Sequence, residues 1–202
     1  MALDTAGRVR RAAVKLFAAK GFHGTGIREL AQESGLSTAS LYHYMGSKED
    51  LLADIMCDCL RTLLDAATAV AARVDDPAPR VVELVKLHVR THARKPKETR
   101  IVDHEIHALA PSARRTVVAL RDSYESVWSE AVAEGVRRGV FRTNQPGVTR
   151  IALLEMCNGV ARWYSPRGSL SLEDLAEHHA DVALKALGAC PHGPAEGQSR
   201  GE

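Results

Sequence analysis

At 202 residues the chain has room for one domain or two modest ones, and its 45% hydrophobic and 26% charged content is that of an ordinary soluble globular protein. A formal net charge of +2 excludes a bulk polycation, so contact with nucleic acid or an acidic membrane has to come from local placement of charge. The opening MALDTAGRVRRAA lacks the apolar core of a signal peptide, and no apolar run approaches the ~18 residues of a membrane span, which points to a cytoplasmic protein with no membrane partner.

Almost every segment reads as helix, because Ala, Leu, Arg and Glu dominate and apolar residues recur three and four apart. Val9, Ala13, Leu16 and Phe17 form the inner stripe of a first helix over about 5–20, which Gly21 closes. Thr25 is expected to cap a short second helix with Ile27, Leu30 and Ala31 facing inward, and Gly35 ends it. Ser37 caps a third helix running to about Met45, and Gly46 breaks it. Ser47-Lys48-Glu49-Asp50 reads as a capping arrangement for a long fourth helix that buries Leu51, Leu52, Ile55, Met56, Cys59 and Leu63. After the loop at Asp75–Pro79, helices are expected over about 80–94, 98–109, 112–139, 147–164 and 171–188. The tail CPHGPAEGQSRGE has the composition of a disordered segment, placed at 189–202.

The second helix, the turn at Gly35-Leu36-Ser37 and the third helix have the layout of a helix-turn-helix. A short helix that opens on small polar residues suits end-on insertion into a major groove. Ser37, Thr38 and Ser40 lie in its first turn, within reach of base edges or phosphates, and its backbone N–H groups favour a phosphate. Leu41 serves as the buried anchor. Tyr42 and Tyr44 then leave the helix on different sides of that anchor.

The stretch LFAAKGFHGTGIRELAQESGLSTASLYHYMGSKEDLL resembles the N-terminal signature of the TetR family of transcriptional regulators over about residues 8–56. It departs from the family pattern at two places, where Tyr44 replaces the usual His and Met45 the usual Phe. Tyr44 can still donate a hydrogen bond to a phosphate, but it cannot gain the charge of a histidine. The resemblance implies an all-α fold: a helix-turn-helix domain over 1–50, joined by the long helix from about 48 to a ligand-binding and dimerisation domain over 51–188. It implies that Thr25, Tyr42, Tyr44 and Lys48 grip phosphates. Thr38, Ser40 and His43 would contact bases or their surroundings, and Arg8, Arg10 or Arg11 would reach a neighbouring groove or the backbone. Phosphate contacts set register, and the few base contacts carry sequence information.

For the larger domain the resemblance implies a homodimer through the last two helices. Ile151, Leu154, Cys157 and Ala161 share one stripe there, and Leu172, Leu175, Val182 and Leu187 contribute to another; an ordinary intramolecular core would show the same pattern. Tyr124 and Trp128 are one turn apart, Trp163 and Tyr164 end a helix, and Arg121, Asn158 and Arg162 stand near them. These six (Arg121, Tyr124, Trp128, Asn158, Arg162 and Trp163) suit a pocket for a ligand with an anionic or carbonyl group on an apolar body. They equally suit a core filled by the two tryptophans, with Arg162 paired to an acid. The segments HALAPSARRTVVALRDSYESVWSEAVAEGVRRGVF and NGVARWY are similar to an actinobacterial branch of the family that includes repressors of lipid and steroid catabolism sensing coenzyme A thioesters. In that case Arg114, Arg115, Arg121 and Arg162 would face phosphates; an uncharged lipophilic effector is the alternative.

His88 and His92 are one turn apart, and Asp103, His104 and His107 follow on the next helix, which makes these five the candidates for a metal site. Hydrogen-bonded histidines on amphipathic helices are the commoner arrangement. Cys57 and Cys59, two apart on a helix, make a poor chelate or disulfide, and Cys157 and Cys190 are remote from them, so the thiols read as structural. The expected function is therefore a ligand-responsive repressor with double-stranded operator DNA and a small-molecule effector as partners. A regulator sensing a metal ion, a metal-dependent helical hydrolase and a helical protein-binding adaptor are the rivals. No nucleophile motif, glycine-rich phosphate loop or HExxH spacing supports an enzyme, and no cofactor is expected.

Overall fold

In the computed structural model, which describes residues 2–189, every regular element is helical. The tail expected at 189–202 lies, beyond Ala189, outside the described residues. The helices are α1 (Ala2–Lys20), α2 (Ile27–Ser34), α3 (Thr38–Met45), α4 (Lys48–Arg73), α5 (Pro77–Arg94), α6 (Pro96–His104), α7 (Pro111–Arg137), α8 (Pro146–Asn158), α9 (Val160–Trp163) and α10 (Leu172–Ala186), with a 3-10 turn at Ile106–Ala108 between α6 and α7. The helices α5 to α8 each begin on a proline, where the missing N–H costs nothing and the fixed φ suits the first turn.

Local signals account for most boundaries. Gly35 closes α2 at φ +66°, a left-handed position that glycine occupies without steric cost. Ser37 caps α3 by accepting from the Ser40 N–H at 3.1 Å. At α4 the Ser47 side chain accepts from Asp50 N–H while the Asp50 carboxylate accepts from Ser47 N–H, both at 3.0 Å, a reciprocal capping box. Three expectations need correction. Thr25 does not cap α2; Gly26 holds that position, and the buried Thr25 hydroxyl donates to the Gly21 carbonyl at 2.9 Å. The helix expected over 98–109 stops at His104, because the following 3-10 turn swings Ile106 and Leu109 into the core. The helix expected over 147–164 is interrupted at Gly159, where Arg162 N–H bonds back to the Gly159 carbonyl, three residues away, tightening the chain into α9.

Two apolar clusters organise the chain. The first joins α1, α2 and α3 to the first half of α4 and also takes in Ile101, Val102, Ile106, Leu109 and Val117. The second runs from Leu63 in α4 to Leu187 and centres on Trp128. The clusters change over along α4 between Leu60 and Leu63, and α7 contributes to both. The stripe residues Leu154, Cys157, Leu175 and Leu187 are buried inside this one chain, with α10 packed along α5. Ile151 is the exception on its stripe, 52% exposed beside Val148 at 63%.

Candidate nucleic-acid interface and buried cavity

Helix α3 is held by its apolar side and presents the rest. Leu41 is 0% and Met45 5% exposed, so the swap at Met45 sits in the core as a packing residue. Tyr42 and Tyr44 are 48% and 37% exposed, and Thr38, Ser40 and His43 also face solvent. The His43 and Tyr44 rings meet edge-on at 5.2 Å. Ser37 and Ser40 share a hydroxyl–hydroxyl bond of 2.9 Å, which orients two polar groups at the start of the helix.

Lys48 does more than stand at the surface. Its ammonium donates to the carbonyls of Phe22 and Thr25 at 3.0 and 2.9 Å and lies 4.1 Å from the centre of the Phe22 ring. Two of its three N–H groups thus staple α4 to the segment between α1 and α2, leaving one for an external acceptor. Thr25 sits beneath this staple at 1% exposure with its hydroxyl already engaged, so burial keeps its side chain from acting as an open phosphate clamp in this conformation. On α1, Arg10 pairs with Asp58 at 2.9 Å and Lys15 with Glu33 at 2.7 Å, while Lys20 pairs with Glu29. Arg8 donates to the Thr5 hydroxyl at 3.4 Å, and Arg11 is exposed. Much of the basic character of α1 is therefore internally balanced by carboxylates of α2 and α4.

Where the two clusters change over, α4 forms a wall of a cavity of about 430 Å³. Cys59, Leu60 and Leu63 from α4 face His88 and His92 from α5, while α6 supplies Thr99, Arg100, Val102, Asp103 and His104. Arg121, Tyr124 and Glu125 come from α7, and Ile151, Leu154, Glu155, Asn158 and Arg162 close the other side. Of the six residues expected at a ligand, Arg121, Tyr124, Asn158 and Arg162 line this space. Trp128 does not: it is 0% exposed and fills the second cluster. Trp163 does not either, because the α9 turn leaves it 56% exposed and stacked on His179, ring centres 6.3 Å apart. Arg114, Arg115 and His107 are exposed and lie off the cavity.

The histidines meet here, but as hydrogen-bonding groups. His88 Nε2 lies 2.8 Å from Asn158 Oδ1 and Nδ1 2.8 Å from the Tyr124 hydroxyl, so both ring nitrogens are occupied. Because Asn158 Oδ1 only accepts, His88 carries its proton on Nε2 and receives the Tyr124 O–H at Nδ1. Burial, with neighbouring His92 adding to it, holds His88 well below the usual imidazole range; burial also brings His92 down to about 4. The two rings stack at 4.0 Å. Among the described residues no three His, Cys, Asp or Glu side chains converge as metal ligands. Asp103 is pushed up to about 6 by burial, against the opposing pull of Arg121 and His104. Burial raises the thiols Cys59 and Cys157 to about 11 and about 12, which makes them poor nucleophiles. Arg121 donates to the Val102 carbonyl at 2.7 Å and so ties α7 to α6.

Sequence reasoning missed Thr99, Arg100, Glu125, Ile151, Leu154 and Glu155 in this lining. It grouped His88, His92, Asp103 and His104 as candidates for a metal site, with hydrogen-bonded histidines as the commoner arrangement, and did not place them at the ligand cavity. The signal available was the polar face on α6 next to a histidine pair on α5. No described helix is long and apolar enough to cross a membrane.

Residues 9–55 match the family described as bacterial regulatory proteins, tetR family, and residues 74–187 match the Tetracyclin repressor-like C-terminal domain. The HTH-type transcriptional repressor KstR2 of Rhodococcus jostii is 27% identical over 197 residues, which cover 94% of this chain and 96% of that protein. The crystal structure of the TetR family regulator PfmR from Thermus thermophilus aligns with a TM-score of 0.79 at 33% identity, covering 88% of this chain and 97% of its own. AibR, solved with isovaleryl coenzyme A and operator DNA, shares the fold with a TM-score of 0.81 at 23% identity, over 92% of this chain and 100% of that one.

Proposed function

Because the chain belongs to the tetR family of bacterial regulatory proteins and is a DNA-binding transcriptional regulator, not an enzyme, we propose that it acts as a homodimeric repressor released from a pseudo-palindromic operator by a small molecule. The observation that carries this reading is the course of α4. Its first residue, Lys48, staples the helix-turn-helix unit, and further along the same helix Cys59, Leu60 and Leu63 wall the cavity. A ligand larger than the cavity has to displace one of its walls, and α4 is one of them. Helix α6 offers a second route, since it lines the cavity and packs on α1. Release then requires the ligand to bind the shifted state more tightly than the operator-bound one, in which two recognition helices match major grooves roughly 34–36 Å apart.

In this proposal Thr38, Ser40 and His43 read bases or their surroundings, Tyr42, Tyr44 and the spare N–H of Lys48 hold phosphates, and Arg8, Arg10 or Arg11 reach the flanking backbone. The second copy docks on α8 and α10, where Val148 and Ile151 stand exposed. The regulator works in the cytoplasm. The effector is an acyl- or steroid-derived coenzyme A thioester controlling lipid or steroid catabolism genes. Support for that class is the similarity to KstR2 and AibR, together with Arg100, Arg121 and Arg162 around a cavity too small for the whole thioester. The acyl end enters and the phosphates meet the arginines.

The test is a gel shift with the DNA upstream of the protein's own gene and neighbouring promoters, repeated with acyl-CoA thioesters, the free acids and uncharged steroids. The reading predicts a specific shift that thioesters alone abolish. Release by uncharged lipids instead would overturn the effector class and keep the repressor. Absence of any specific shift at low salt without ligand would sink the operator reading.

A further inference from the structure

The cavity wall formed by the end of α5 and by α6 has an unusual balance of hydrogen-bonding groups. His92 Nδ1 lies 3.0 Å from the His88 carbonyl. A carbonyl only accepts, so Nδ1 carries the proton, and the neutral ring keeps a bare lone pair on Nε2. Thr99 behaves alike: its hydroxyl donates to the Lys95 carbonyl at 3.1 Å and leans on that of Pro96 at 3.4 Å, so only its lone pairs remain. Both side chains are nearly sealed from solvent, at 4% and 2% exposure, and both line the cavity. Asp103, one turn beyond Thr99 on the same face of α6, adds a carboxyl group to the lining. The Tyr124 hydroxyl and both His88 nitrogens offer these acceptors nothing, since they bond to one another and to Asn158.

We infer that this wall binds a ligand through an uncharged hydrogen-bond donor, a hydroxyl group, presented to His92 Nε2 and Thr99 Oγ1. A ligand offering only a carbonyl or ether oxygen there would face lone pair against lone pair. An ammonium group would also satisfy the acceptors but would have to shed its water to reach two nearly sealed neutral groups, in a cavity where Arg100, Arg121 and Arg162 offset the carboxyls of Asp103, Glu125 and Glu155. Buried acceptors left unpaired are costly, so the absence of the hydroxyl is penalised more than its presence is rewarded. The inference rests on reading this cavity as the effector site, and it adds a requirement on the buried end of the effector that its phosphates do not impose.

The matched pair 4-tert-butylphenol and 4-tert-butylanisole separates donor from acceptor at nearly constant shape. Titration calorimetry on the full chain should show the phenol binding about tenfold more tightly than the ether, the size of one well-made hydrogen bond. In ¹⁵N-histidine spectra of the same protein, His92 Nε2 should appear unprotonated when free and shift on adding the phenol alone. His92→Phe keeps the stacked ring and Thr99→Val the side-chain shape; each should bring the two affinities toward parity. Equal affinities in the unaltered protein, a protonated Nε2 in the free state, or failure of both probes to bind overturns the inference. None of these readouts involves DNA or a thioester, so failure of the operator or thioester reading would show separately in the gel shift.

Discussion

His88 on α5 and Tyr124 on α7 meet inside the protein through a 2.8 Å hydrogen bond that spans 36 residues of sequence. Asn158 at the end of α8 takes the other nitrogen of the same ring at 2.8 Å. One neutral imidazole therefore joins three helices at the wall of the cavity, and the arrangement holds only while that imidazole stays uncharged. Burial pushes the Tyr124 hydroxyl far above the usual phenol range, which keeps it a donor.

Tyr124→Phe should destabilise the fold without touching the DNA face. The substitution leaves His88 Nδ1 buried and unpaired, which costs about 1–3 kcal/mol. For a chain of this size that lowers Tm by about 2–4 °C per kcal/mol, read by thermal unfolding. Unchanged Tm would mean that water or a neighbour replaces the hydroxyl and that the triad has no structural weight.

Acidification from pH 7 to 5 should lower Tm. For His88 and His92 the folded-state pKa lies below the ordinary imidazole value of 6.5, with His92 at about 4. The unfolded chain then binds more protons in that window, so their contribution is full above 6.5 and is lost as pH falls. Asp103 has the opposite sign: raised from 3.8 to about 6, it favours the folded state as pH falls and loses that contribution as pH rises through 6. Two histidines outweigh one aspartate. Asp103→Asn should steepen the acid loss, and a flatter profile in that variant would refute the assignment.

Leu41→Ala should detach α3 from the first cluster. The side chain is 0% exposed, and emptying such a site costs about 2–5 kcal/mol. Ser37→Ala removes the N-cap of the same helix for about 1 kcal/mol. Both losses are measured by chemical denaturation, and Leu41→Ala should be the larger; the reverse order would show that capping rather than packing holds α3.

Tyr42→Phe should weaken binding to specific and random DNA alike, because a phosphate contact carries no sequence information. Thr38→Ala should instead change which base pair is preferred, by about 1–3 kcal/mol at one position of the operator. Competition binding over single-base operator variants distinguishes the two. Parallel losses in both variants would remove the division of labour between them.

Lys48→Met should act on both stability and DNA binding. It deletes two bonds to the Phe22 and Thr25 carbonyls and the contact with the Phe22 ring, leaving the Phe22 carbonyl with the Thr25 N–H alone. A lower Tm together with weaker operator binding is expected in melting and gel-shift experiments. Weaker binding at unchanged Tm would make Lys48 a phosphate contact alone.

The order of amino acids settles the local grammar of this chain. The glycine at 35, the serine caps at 37 and 47, and the three-and-four spacing around Leu41 define the helix-turn-helix, since each depends on neighbours within a few residues. The same locality explains why the exposed polar start of α3 and the all-helical class were legible. Which helix faces meet is a property of the packed molecule alone. Two tryptophans that look equivalent as aromatic residues on amphipathic helices part company, Trp128 filling the core and Trp163 left on the surface by the tight turn at Gly159. The histidine pair on α5 leaves metal binding and hydrogen bonding both open in the sequence, and its partners Tyr124 and Asn158, distant in sequence, appear only where they take the nitrogens of His88. Hydrogen bonds of that kind have no periodicity to betray them, because they depend on where α7 and α8 come to rest against α5.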